Sequence, residues 1–304
     1  MGTLAIEVKN VSKSFGRKTV LRNVSFEVPE HTIFGMIGPN GAGKSTTLDI
    51  IAGFKHADQG TVEILGEEVR RDSASGKVGL MLQDTALYSY LTVEETLQFF
   101  AKLYPHPLNV QEVLTMLHLE EALHTQVRRL SGGQKRKLDF GVAVIGAPPI
   151  VILDEPTTGF DPTSKRDTWN AIKGLRNYGT TVLLTTQMMD EAEYLCDHVA
   201  VLINGSLNVT GTVGDVKKQF NSMSLVRMTL SQSAPAAGHW QAIRTEVSGN
   251  VITFETLEPA VLISEVTKEL QEQGIGVEDM DVSSASLEEV LIQLTANNQG
   301  GGRD

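Results

Sequence analysis

"GPNGAGKST", running Gly38-Pro39-Asn40-Gly41-Ala42-Gly43-Lys44-Ser45-Thr46, decides how this chain folds. Before it stands "TIFGMI" (32–37), a short apolar run that reads as a strand buried on both faces; a helical pattern follows it. The stretch fits GxxxxGK[ST]. Its glycines let backbone N–H groups curl around phosphate oxygens, and a helix N-terminus adds positive potential there. Lys44 is then placed to reach the β- and γ-phosphates of a nucleotide, and the Ser45 hydroxyl to bind Mg²⁺. A strand, a glycine loop and a helix in that order predict an α/β fold built on a largely parallel sheet.

Two further stretches belong to the same chemistry. "IVILDEP" (150–156) is a hydrophobic strand that delivers two carboxylates at its C-terminal end, where open α/β sheets place their ligands. Asp154 is suited to hold Mg²⁺, directly or through water, and Glu155 to accept a proton from an attacking water. Solvated acids at strand ends are also common, so this stretch alone decides nothing. "LSGGQ" (130–134) satisfies the S-x-x-Q capping box through Ser131 and Gln134, the pattern of a plain helix start. Gly132 and Gly133 in the first turn are poor for helix stability. They make sense where a phosphate must approach bare backbone at a helix N-terminus.

Composition narrows the classes. The 304 residues carry a net charge of −11. Four basic and twelve acidic residues follow Phe220, a net of −8; the first 220 carry 22 basic and 25 acidic, a net of −3. Neither part has the basic excess of a nucleic-acid binder. No apolar run is long enough for a membrane span, and the N-terminal stretch lacks a signal-peptide core. The single cysteine, Cys196, excludes an internal disulfide framework and fits a reducing cytosol. It reads as a partly buried small hydrophobe.

Along the chain, strand-like runs alternate with helical patterns to about residue 210, "TVLLTT" (181–186) being another buried strand. Mostly helical sequence over 84–147 predicts an insertion in an α/β domain of residues 1–220. Within it, Thr92 and Glu95 make a capping box, and a second helix is expected over 110–123. "SQSAPAAGHW" (231–240) reads as a loop or linker. "VITFET", a helical "PAVLISEVTKELQEQG", "IGVEDMDV" and a final "SLEEVLIQL" helix make residues 221–296 a small α+β appendage, and 297–304 a disordered tail.

With these three motifs in order, the chain resembles the ATP-binding subunit of ABC transporters over roughly residues 4–215. "GPNGAGKST" matches Walker A, "LSGGQ" the signature and "VILDEP" Walker B. Gln83 falls where the family has its Q-loop, a further Mg²⁺ contact, and Asp161 in "TTGFDP" matches the D-loop at the dimer interface. Phe15 falls where an aromatic stacks on adenine. The plain readings are a strand-edge hydrophobe for Phe15, a loop amide for Gln83 and an N-cap for Asp161 before Pro162. The resemblance implies a P-loop NTPase core, ATP and Mg²⁺ as ligands, and two copies or paralogues packed head to tail. ATP on one Walker A would be completed in trans by Ser131, Gly132, Gly133 and Gln134.

Gln187 departs from the pattern. "TTQMMDEAE" stands where the family has "TTH" before an acidic helix, and that histidine contacts the γ-phosphate. A glutamine amide can still donate to a phosphate oxygen, but it cannot relay a proton. Slowed hydrolysis with near-normal nucleotide binding is the expectation, Glu155 and Lys44 remaining as catalytic groups. "LSGGQKRKLDF", "GTVGDVKKQF" and "ASLEEVLIQL" resemble the daunorubicin-resistance and subfamily-A type of exporter ATPase. Its partner is an ABC-2-type membrane subunit, which would hold this chain at the cytoplasmic face of the membrane. Exposed Leu87, Tyr88 and Tyr90 would then fit a groove for a short partner helix; the plain reading makes them core of the insertion. The alternative is a soluble ABC ATPase acting on a non-transport assembly complex.

Overall fold

The computed structural model describes residues 3–70, 76–83, 86–219, 224–235, 240, 242–283 and 286–300. The chain divides into two compact units, 1–213 and 214–304.

The first unit is built on two sheets. β1 (Leu4–Phe15) and β2 (Lys18–Pro29) form a long antiparallel hairpin that turns at Gly16. With β4 (Gln59–Ile64) and β5 (Glu67–Glu68) they make a sheet of order β2-β1-β4-β5. The second sheet contains β3 (Ile33–Ile37), β6 (Val78–Met81), β7 (Ile150–Asp154), β8 (Thr181–Thr186), β9 (His198–Ile203) and β10 (Ser206–Thr212). Its order is β10-β9-β3-β8-β7-β6, parallel except for the β10 edge. β3, β7 and β8 are buried along their whole length, as their unbroken apolar runs require. α1 (Lys44–Ile51) places Leu48, Ile50 and Ile51 in the core where Phe26 of one sheet stacks on Phe34 of the other, ring centroids 5.5 Å apart. Each such side chain contributes roughly 1.5–3 kcal/mol on burial.

The insertion holds α2 (Val93–Ala101), α3 (Val110–Leu117) and α4 (Gly132–Val144). Both halves of the Thr92/Glu95 capping box are made. α3 stops at Leu117, not at 123: His118 turns left-handed (φ 52°) and its N–H closes back on the last carbonyls, after which 120–122 form a short 3₁₀ turn. Gly141 lets α4 pack closely, since a Cβ there would meet Leu117 Cδ1 at 2.8 Å and Leu97 Cδ2 at 3.2 Å. α5 (Pro162–Gly174) and α6 (Met189–Leu195) follow β7 and β8 of the second sheet, and α7 (Val213–Gln219) begins where the first unit ends.

In the second unit, β11 (Ser224–Leu230), β12 (Arg244–Ser248), β13 (Val251–Thr256) and β14 (Val277–Ser283) form a sheet of order β12-β13-β11-β14. α8 (Pro259–Glu272) seats Leu262, Val266 and Leu270 in one core with Val226, Met228, Ile252 and Phe254. α9 (Leu287–Gly300) ends the described chain. Two expectations change here, and a third lies partly outside the described residues. The division falls after Val213 and not at 220; the Val213 N–H, at the end of the first unit, donates to the Asp197 carbonyl at 3.3 Å. The helix carried by buried Leu287, Val290 and Leu294 continues to Gly300, so 297–300 are helical and no loose tail begins at 297; residues 301–304 lie outside the described residues. Of the expected linker 231–240, residues 236–239 also lie outside them.

Candidate functional site

The glycine loop joins β3 to α1, as its spacing predicts. Gly38 (φ 156°) leaves room for the Leu202 carbonyl, which a Cβ would approach to 2.1 Å. Gly43 (φ 108°) is the N-cap of α1, where a Cβ would strike Leu21 Cδ2 at 2.6 Å. No side chain caps α1, so its first-turn N–H groups at Lys44, Ser45 and Thr46 face an open cleft. The Ala42 N–H donates to Pro39 O at 3.2 Å and fixes the bend of the loop. Lys44 is buried, and its Nζ donates to Gly38 O at 2.7 Å and Pro39 O at 3.1 Å. Burial pulls its ammonium below the ordinary lysine range, opposed by the Glu155 and Asp154 carboxylates.

The cleft, about 1160 Å³, is lined by Asn40, Gly41 and Gly43–Thr46 of the loop, by Gln83 beyond β6 and by Glu155 beyond β7. Arg17, Lys18 and Arg22 of the hairpin form another wall. Strand alternation puts Lys18, Val20 and Arg22 on one face of β2, a signal the sequence carried but motif matching passes over. Four cations thus surround one carboxylate, a field suited to a polyanion.

Asp154 is buried at the end of β7, and the Thr185 hydroxyl donates to its Oδ1. Glu155 takes a left-handed backbone (φ 48°) and its N–H donates to both the carbonyl and the hydroxyl oxygen of Thr185, each at 3.1 Å. The Thr158 hydroxyl donates to Glu155 Oε2 at 3.2 Å and orients the carboxylate. Such a backbone costs of order 1–3 kcal/mol and persists only where the surroundings determine it. Among the described residues no three His, Cys, Asp or Glu side chains cluster as a metal cage. The donors on offer are one hydroxyl (Ser45), one amide (Gln83) and one carboxylate (Asp154), hard oxygens suited to a Mg²⁺ that keeps water and phosphate ligands.

Ser131 N-caps α4, and both hydrogen bonds of its capping box with Gln134 are made, at 3.2 and 3.0 Å. A Cβ at Gly132 or Gly133 would meet nothing within 4 Å, so no packing within the chain calls for glycine there. This helix tip does not line the cleft of its own chain. Asp161 N-caps α5, its Oδ1 accepting from Thr163 N and Ser164 N, both at 3.0 Å; the Ser164 hydroxyl and these N–H donors hold its carboxyl below the usual range. Gln187 is exposed beyond β8, in a turn fixed by Met188 N–H on the Thr186 hydroxyl at 2.9 Å, and it also lies off the cleft lining. Phe15 is exposed, with the Lys13 and Lys55 ammonium groups 5.6 and 5.5 Å from its ring centroid. Tyr88 and Tyr90 are exposed and Leu87 is half-buried.

Residues 21–158 match the family described as "ABC transporter". The chain is 32% identical over 306 residues to a linearmycin resistance ATP-binding protein of Bacillus subtilis, covering 95% of this chain and 98% of the relative. It is 31% identical over 312 residues to a daunorubicin resistance ATP-binding protein of Streptomyces coeruleorubidus, covering 98% of each. A solved ATP-binding subunit of an ABC transporter superposes with a TM-score of 0.64 at 31% identity, over 72% of this chain and 93% of that one. The glycine loop, the paired carboxylates and full-length relatives of this kind agree: the chain belongs to the ATP-binding subunits of ABC transporters and is an ATPase of that family.

Proposed function

We propose that this chain powers an exporter by ATP-dependent closure of two ATPase domains, and that it works from the cytoplasmic face of the membrane through a separate ABC-2-type subunit. One observation carries the pairing. The helix tip at Ser131, Gly132 and Gly133 does not line the cleft its own chain builds, and its glycines leave the backbone bare, which suits it to cap nucleotide held by a second subunit. The names of the two resistance relatives support export. No helix among the described residues is long and apolar enough to cross a membrane, which leaves translocation to a partner.

Within each cleft, Lys44 and the N–H groups of α1 hold the phosphates. Ser45, Gln83 and Asp154 would hold Mg²⁺, which supplies charge neutralisation at the phosphate oxygens when bound. Glu155, oriented by Thr158, accepts the proton of the attacking water. Gln187 positions phosphate without proton relay and slows turnover by ~10²–10⁴. Tyr88 and Tyr90 form the docking surface for the membrane subunit, with Tyr88 packed edge-on against Phe99 at 5.5 Å.

The mass of the Glu155→Gln variant in solution, with saturating Mg-ATP, tests the pairing. A nucleotide-dependent dimer that Lys44→Ala abolishes is expected. A particle that stays monomeric under those conditions removes the proposal.

A further inference from the structure

We infer that Arg136 is a positioning residue that ties the signature helix to the catalytic end of the sheet, and so sets Gln83 and Glu155 together from one side chain. Arg136 stands on α4, one turn beyond the Ser131-Gly132-Gly133 tip. Its guanidinium leaves the insertion and forks across two strand ends. Nη1 donates to Leu82 O at 2.6 Å and Gln83 O at 3.3 Å. Nη2 donates to Asp154 O and, at 3.1 Å, to Glu155 O. The two carbonyl pairs continue neighbouring parallel strands, β6 and β7, so a single planar fork fixes the spacing of the Mg²⁺-side amide loop and the carboxylate loop.

Glu155 most needs such a hold. Its left-handed backbone exposes the carbonyl that Arg136 captures, while Thr185 takes the N–H on the other side. Without the fork, the peptide can relax toward ordinary φ, which swings the carboxylate away from the place where Thr158 orients it. The Asp139 carboxylate, one turn further along α4, supplies opposite charge to the guanidinium. A lysine keeps the charge but not the fork: a compact ammonium cannot span two carbonyl pairs. Since the tip of α4 is the surface proposed to cap nucleotide on a second subunit, any displacement of that tip reaches Glu155 through Arg136. This step rests on that proposed pairing; the positioning of Glu155 does not.

Arg136→Lys and Arg136→Gln test it, by steady-state ATPase rates, Mg-ATP affinity and thermal unfolding without nucleotide. The expected result is a ~10–100-fold loss in kcat with affinity changed less than about 2-fold and Tm nearly unchanged. Combining Arg136→Lys with Glu155→Gln should cost no further rate, since both act on the same group. An unchanged kcat overturns the inference. So does a loss that is fully additive with Glu155→Gln, or one that tracks loss of Tm, because each describes a structural arginine. Lys44→Ala reports separately on the nucleotide site, as it leaves every Arg136 acceptor in place.

Discussion

The hydroxyl of Thr185 holds Asp154: it donates to the buried Oδ1 of that carboxylate while its own oxygen accepts the Glu155 N–H at 3.1 Å. One side chain on β8 therefore orders both acidic residues at the end of β7. Thr185→Val keeps the shape and removes the hydroxyl. It should lower kcat about 10-fold and cost roughly 1–3 kcal/mol by leaving a buried carboxylate oxygen unpaired, with Thr185→Ser restoring both. ATPase rates and urea unfolding of the two variants check this; a Val variant with wild-type turnover would sink it.

Glu191 is a second buried carboxylate whose worth lies in its partners. It is fully buried on α6, and its Oε1 accepts the Thr157 hydroxyl at 2.5 Å and the Trp169 indole N–H at 2.8 Å. Its Oε2 has no hydrogen-bond partner among the described residues, and the residue ties the loop beyond β7 to α5 and α6 with one oxygen left unsatisfied. Glu191→Leu orphans two buried donors and should lose roughly 2–5 kcal/mol. Glu191→Gln keeps the acceptor and should lose distinctly less. Equal stability of the Leu variant and the native chain in denaturant titrations would show that the network contributes nothing.

Asp139 gives the fold a pH dependence of known sign. Burial pushes its carboxyl up from 3.8 to about 6, against the pull of Arg136 and Lys135. Between about pH 4 and 6 the folded chain thus keeps a proton that the unfolded chain releases. The contribution of Asp139 to stability is fully present below about pH 4, is lost as pH rises toward 6, and stays at the lower level above that. The penalty at neutral pH is on the order of 3 kcal/mol. Asp139→Asn should therefore raise unfolding free energy at pH 7.5 and have little effect near pH 4. A gain of the same size at both pH values would contradict the assignment.

How much of this was readable beforehand depended on sequence distance. Lys44, Ser45, Asp154, Glu155 and the Ser131 cap lie in short local patterns, and strands such as 150–154 announce themselves by unbroken apolar runs. Arg136, Thr185 and Glu191 do not. Arg136 reaches backbone carbonyls 54 and 18 residues away, and backbone acceptors leave no trace in residue type. Thr185 looked like strand filler, and its tie to Asp154 spans 31 residues. The end of α3 was missed because a left-handed cap at His118 outweighed the helical pattern running on to 123.

Tyr88 tests the docking surface. More than half of this residue is exposed, and its ring meets Phe99 edge-on. Truncation should cost little stability, since few buried contacts are lost. Tyr88→Ala should uncouple ATP-dependent transport in membranes containing the partner subunit, while the basal ATPase of the isolated chain stays largely intact. Undiminished transport would move the docking site elsewhere.

The proposed slowing of turnover by Gln187 has its own test. The residue follows β8 directly, and the Thr186 hydroxyl that accepts the Met188 N–H holds the turn in which it sits. That hydrogen bond involves backbone and Thr186 only, so Gln187→His leaves the local geometry alone and changes just the side chain presented. An imidazole offers what the amide lacks, a group that can take up and release a proton near neutral pH. If the missing relay limits turnover, Gln187→His raises kcat by ~10²–10⁴ with little change in Mg-ATP affinity, and the rate gains a dependence on pH near 6–7 that the native chain does not show. If Glu155 alone carries the proton, the two proteins hydrolyse ATP at the same rate across that range, and the glutamine is a positioning group only.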